Sequence, residues 1–113
     1  MNHKWVHFQE SEVIGLDTEL VAMLDLARGK SGVPFVITSG FRTSEQNTLL
    51  PDSVSDSSHL TGHAVDLRCL DSGGRYKMIF ALKEAGFNRF GVRYADGHIH
   101  VDNDTTKPQN VMW

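Results

Sequence analysis

A thiolate-bound metal cluster is excluded at the outset, because Cys69 is the only cysteine in the chain. For the same reason no intrachain disulfide can form. Any metal must therefore be held by histidine and carboxylate. Positive charge is not in excess either: Lys and Arg number 11 against 14 Asp and Glu, a formal net charge of -3. That balance speaks against a protein whose affinity rests on neutralising phosphates, so nucleic acid is not an expected partner. Long apolar runs are also missing. No stretch could span a bilayer, and Met1-Asn2-His3-Lys4-Trp5-Val6-His7 lacks the apolar segment of a signal peptide. The expectation is a chain made soluble in the cytoplasm, without membrane insertion and free of repeats, linkers and low-complexity tracts.

What is present is ordinary globular material, 40% hydrophobic and 22% charged, in a length of 113 residues that suits a single domain over 1–113. Leu16, Leu20, Met23, Leu24 and Ala27 recur at helical spacing behind Asp17, a good N-cap, and predict a helix over 17–28 that closes near Gly29. Residues 33–38 read as a buried strand ending in Ser39-Gly40. Thr43 and Gln46 make a capping box for a short helix that stops before Pro51. From Pro51 to Ser58 the Asp- and Ser-rich composition marks an exposed loop, with His59 at its end.

Residues 63–67 alternate as a strand that turns Val65 and Leu67 one way, Ala64 and Asp66 the other. Tyr76, Ile79, Phe80 and Lys83 share a face of a second helix, ended by Gly86 as a C′ glycine. Residues 89–94 and 98–102 predict a hairpin through the turn Ala95-Asp96-Gly97. The resulting fold class is α+β, a small and mostly antiparallel sheet flanked by two main helices.

Chemistry concentrates in His98-Ile99-His100-Val101-Asp102, where the strand period of two sets both histidines and Asp102 on one face. Ile99 and Val101 seat the strand in the core, and the polar row faces a wet or metal-bearing cleft. Asp66 can meet that row if the two strands are neighbours, and Gly62 allows the chain to turn sharply after His59. Two imidazoles and a carboxylate suit zinc, and three protein ligands leave a fourth position open, as a catalytic site requires.

Ser58-His59-Leu60-Thr61-Gly62-His63-Ala64-Val65-Asp66 followed by His98-Ile99-His100 resembles the SxHxxGxAxD and HxH signature of the lysostaphin, D-Ala-D-Ala carboxypeptidase and Hedgehog superfamily. Ser39-Gly40-Phe41-Arg42 is similar to the SGYR segment of its carboxypeptidase-type branch, and the resemblance runs from about residue 8 to 102.

The resemblance implies a Zn2+ site formed by His59, Asp66 and His100. Arg42 matches an arginine that steadies a substrate carbonyl or carboxylate. His98 matches a histidine flanking the metal, able to hydrogen-bond a tetrahedral intermediate. Relatives commonly place an acid three residues before the last ligand, but Gly97 stands there. Asp96, one residue further back, is then the expected general base, and Asp102 the alternative or a partner of the ligand histidine. The activity implied is zinc-dependent hydrolysis of an amide in the peptidoglycan stem peptide, by a carboxypeptidase or an endopeptidase. The chain is thereby expected to suit a phage or prophage lysis enzyme released from the cytoplasm. A zinc-containing Hedgehog-like binding module without hydrolysis is the alternative. His63 points away from Asp66, Cys69 is expected to be a buried small residue, and His3 and His7 to be solvent-exposed.

Overall fold

The computed structural model describes residues 5–50 and 54–113; His3 and the first part of the expected loop, 51–53, lie outside them. Helix α1 spans Thr18–Ser31, with the Asp17 carboxylate accepting from the Leu20 N–H at its start. It runs past Gly29 because the left-handed residue that closes it is Gly32, at φ 71°. Its buried row is Leu20, Val21, Leu24 and Ala27.

Strand β1 spans Val36–Ser39 and is an edge strand bonded only to β2, with Val36 half exposed, so the fully buried strand expected at 33–38 is corrected. The core residue of that run is Phe35, just before the strand. The capping box at Thr43 and Gln46 forms and opens the short helix α2, Ser44–Thr48.

Strand β2 spans Ala64–Arg68, helix α3 Ser72–Glu84, β3 Arg89–Arg93, β4 His98–Asp102 and β5 Val111–Met112. The sheet order is β1-β2-β4-β3-β5, antiparallel throughout except for the parallel pair β3 and β5. This is the expected α+β build, with one strand, β5, that alternation did not reveal. Two residues are too short a run to carry a period.

Helix α3 forms where the spacing predicts it, with Ile79 partly buried against the core. It buries Gly74, Met78, Ala81 and Leu82, whereas Tyr76 and Phe80 are exposed and stack on each other at 6.4 Å. The bulky aromatics mimic a core stripe, but the smaller row is the one that fits against α1. One core cluster joins Leu20, Leu24, Met78 and Leu82 to Val65, Leu67, Ile99 and Val101 of the central strands. With those positions turned inward, the alternate residues Asp66, His98, His100 and Asp102 share the other face. Cys69 is half-buried rather than buried, and no helix among the described residues is long and apolar enough to cross a membrane.

Candidate metal centre

His59 lies in a 3-10 helix, Ser58–Thr61, not in an exposed loop. Val54 to Asp56 are exposed as expected, but Ser57 and Ser58 are buried. Ser57 caps the turn by accepting from the His59 N–H, and the turn closes on Gly62 at φ 77°. A Cβ on Gly62 would stand 2.4 Å from the Gly15 carbonyl oxygen. Gly62→Ala is therefore expected to destabilise the protein by about 2 kcal/mol or more, from left-handed strain alone, and to lower the urea midpoint accordingly. An unchanged midpoint would show that the turn relaxes.

The second anchor of the 3-10 helix is Asp104, whose carboxylate accepts from Ser58 Oγ at 2.7 Å and from the Thr106 hydroxyl at 2.6 Å. Burial pushes this carboxyl up, but the Ser58 and Thr106 hydrogen bonds and nearby Lys107 outweigh it and bring its pKa to about 2. A depressed carboxyl stabilises the fold fully above its ordinary value near 3.8, and that contribution is lost as pH falls towards 2. Asp104→Asn is expected to lower stability at neutral pH and to flatten the pH dependence of the unfolding midpoint in that acid window.

His59 is 1% exposed, and its Nδ1 donates to the Gly40 carbonyl at 2.7 Å. A carbonyl only accepts, so the proton sits on Nδ1 and Nε2 presents a lone pair. That Nε2 is buried without a hydrogen-bond partner and faces Asp66 Oδ1 at 3.4 Å. Two buried acceptors pointed at each other are unfavourable unless a cation or proton lies between them.

The register pairs Asp66 directly with His100 across β2 and β4, and His100 Nδ1 stands 3.0 Å from the same Oδ1. Together His59, Asp66 and His100 offer three ligand atoms within 4.8 Å of one another, the one such cluster found among the described residues. Their donor set of two imidazoles and a carboxylate, with an orphaned buried nitrogen, fits zinc.

Charges around this point are strongly coupled. Burial alone would raise Asp66, but His100, which donates to it, and the neighbouring His59 ring hold it far below the usual carboxylate range. Burial would lower His100, yet Asp102 and Asp66, accepting from both ring nitrogens, raise it. Asp102 is 1% exposed; it meets His100 Nε2 at 2.7 Å and accepts from Arg89 Nε at 2.6 Å. It thus occupies the place of a partner that orients a ligand histidine.

His98 also reaches the centre, its Nε2 3.6 Å from Asp66 Oδ1. Arg42 lines the same cleft, an opening of about 510 Å³, and its Nε is buried without a hydrogen-bond partner. Its backbone N–H donates to the His59 carbonyl, which ties the arginine to the ligand turn. Asp96 is placed differently. It is exposed on the hairpin turn, gripped through both oxygens by Arg93 at 3.0 and 2.8 Å, and it does not line the cleft. The Arg93 hydrogen bond, helped by its charge, holds the Asp96 carboxyl below its ordinary value.

Gly97 cannot carry the acid that relatives commonly place there. Its φ is 67°, and a Cβ would meet the Cys69 carbonyl oxygen at 2.6 Å. His63 contacts Thr61 and Asp17, away from the triad, and His7 is exposed. Sequence reasoning missed Arg89, Asp104 and Trp113. For Arg89 a signal existed: on β3 it alternates with Phe90 and shares the polar side with Arg93.

A small α+β sheet that gathers two histidines and an aspartate at the floor of an open cleft, beside an arginine, has the build of a metal-dependent hydrolase. Residues 2–102 match the Peptidase M15 family, and the chain belongs to that family of metallopeptidases. Among solved structures it is similar to the L-Ala D-Glu endopeptidase ChiX of Serratia marcescens. The identity is 24% over 82% of this chain and 84% of that one, with a TM-score of 0.64, a likeness of fold. No curated protein matches.

Proposed function

We propose that this chain is a zinc peptidase that hydrolyses an amide bond in the stem peptide of bacterial peptidoglycan. The observation that carries this reading is the buried, unpartnered His59 Nε2 facing Asp66 Oδ1, with His100 Nδ1 beside them. His59, Asp66 and His100 would hold the zinc, which when bound polarises a scissile carbonyl and makes water a nucleophile near neutral pH. Gly40 and Asp102 fix the two imidazoles by their second nitrogens, so the ligand atoms are aimed in advance.

Arg42 would hold a substrate carbonyl or carboxylate, and His98 would donate to the oxyanion that develops on the substrate. Asp96 would accept the proton from water, reaching inward from the rim. Arg42, Arg93 and Lys107 line the cleft with positive charge, which suits the carboxylates of a stem peptide. The named activity of the Serratia relative makes an L-Ala–D-Glu bond the first to test, and a D-Ala–D-Ala end the second. Such an activity suits a lysis enzyme that reaches the wall from the cytoplasm.

The test is incubation of purified, zinc-loaded protein with cell walls, followed by mass spectrometry of the released peptides. Cleavage at one type of stem bond, abolished by a chelator and restored by zinc, is expected. Intact peptides under conditions where a related peptidase cuts would overturn the proposal. A binding module that retains zinc without hydrolysis is the second reading, favoured by one observation: Asp96 and Asp102 are both engaged in ion pairs.

A further inference from the structure

The family match ends at Asp102, yet the segment beyond it supplies a wall of the cleft. Strand β5 runs parallel to β3. Trp113, which follows it, is pinned by two backbone bonds, its N–H to the Phe90 carbonyl at 2.9 Å and the Val92 N–H to its own carbonyl at 2.7 Å. The indole then lies back over the sheet. Gly91, paired with His100 across β3 and β4, makes room for it, since a Cβ there would sit 2.6 Å from the indole Nε1. The Arg89 guanidinium packs on the ring at 5.2 Å, and the His100 ring stands 5.5 Å away, tilted by 45°.

Three neighbours thus seat the indole, but 57% of the residue remains exposed and the side chain lines the cleft. A large apolar surface held in a fixed pose and left open beside a polar centre marks a place where ligand is received. Apart from Trp113, only Leu50 and Val54 among the lining residues are apolar. The ring also stands beside a triad histidine, His100.

We infer that Trp113 is a specificity residue whose indole receives the methyl group of the alanyl residue on the carbonyl side of the scissile amide. This rests on the peptidase function proposed above. Both stem-peptide bonds under test, L-Ala–D-Glu and D-Ala–D-Ala, carry an alanine on that side. A methyl group is therefore the apolar feature that either substrate brings next to the reacting carbonyl.

The experiment compares a synthetic stem pentapeptide containing both bonds with the same peptide carrying glycine for each alanine. The wild-type protein is expected to favour the alanyl peptide by about tenfold in kcat/KM, the order that one methyl group supports. Trp113→Ala is expected to reduce that preference to about twofold or less, chiefly through KM, with zinc content unchanged. Gly91→Ala, which displaces the indole without removing it, is expected to do the same, and Trp113→Phe to keep most of the preference. Circular dichroism of each variant verifies folding. An alanine preference that survives Trp113→Ala overturns the inference, as does a loss of zinc with the preference intact, which would make the indole a prop for His100.

Binding is read separately in a Trp5→Phe background, where Trp113 is the one remaining tryptophan. The alanyl peptide is expected to shift its emission more than the glycyl peptide. Such a shift without hydrolysis supports the Trp113 contact while the peptidase function fails. Hydrolysis with no effect of Trp113 does the reverse, and neither hydrolysis nor a shift overturns both.

Discussion

His59→Ala is expected to leave a folded protein that no longer retains zinc through dialysis and hydrolyses stem peptide more than about 100-fold more slowly, a loss beyond that of an outer-shell partner. The size follows from what His59 does in the fold. Its ring is buried and its Nδ1 is committed to Gly40, so Nε2 is left facing Asp66 Oδ1 at 3.4 Å, where the proposed function puts a cation shared by the two. Removing the ring leaves two ligands, too few to hold zinc against solvent.

The same substitution carries a second signature, in the zinc-free protein. It removes an imidazole that helps depress Asp66, so stability that Asp66 contributes above the ordinary carboxylate range should shrink, and acid unfolding should begin at higher pH. Zinc measured by elemental analysis, activity on the pentapeptide and the acid unfolding midpoint are three independent readouts. Full zinc occupancy in His59→Ala would sink the assignment of the centre, whatever happened to activity.

The convergence behind this result was legible in the sequence to an uneven degree. Alternation in His98 to Asp102 and in His63 to Leu67 put Asp66 and His100 on polar faces, and the observed register makes them direct partners. Strand periodicity is a local property, so it survives without knowledge of the rest of the chain. His59 is a different case. Only the motif singled it out, because its burial depends on a 3-10 turn wedged under Gly15 and bolted to Asp104, and contacts so distant in sequence leave no local pattern.

Tyr76 and Phe80 show that a shared helix face read from spacing need not be the buried one. Their spacing is that of a core stripe, but α3 packs through the smaller residues Met78, Ala81 and Leu82. Which of two apolar rows faces inward is decided by the partner helix. Nothing in residues 111–113 announced β5, whose bonds belong to β3 and whose side-chain consequence, the indole beside His100, is wholly tertiary.

Asp96→Ala is expected to lower kcat on the stem pentapeptide by about 100-fold or more, the usual weight of a proton acceptor, while zinc content and the thermal midpoint stay as in the wild type. Gly97 bars an acid from the position three before His100, because the left-handed turn and the Cys69 carbonyl leave no room for a side chain. The nearest acid in the chain is then Asp96. Its pairing with Arg93, itself part of the cleft lining, keeps it ionised and tethered at the rim. A carboxylate anion bound to Arg93 could release Asp96 inward, so that substrate arrival and base delivery would be one event. Because Asp96 is exposed, the space left by its removal is open to solvent, and added formate should recover part of the lost rate. Asp102→Asn is the contrasting case: it loosens His100 and is expected to weaken zinc affinity by about 10- to 100-fold. If Asp96→Ala retains activity within about threefold, a change too small for loss of the base, Asp96 is a turn residue alone. The proton then passes to His98, the titratable side chain that stands 3.6 Å from Asp66 within the cleft.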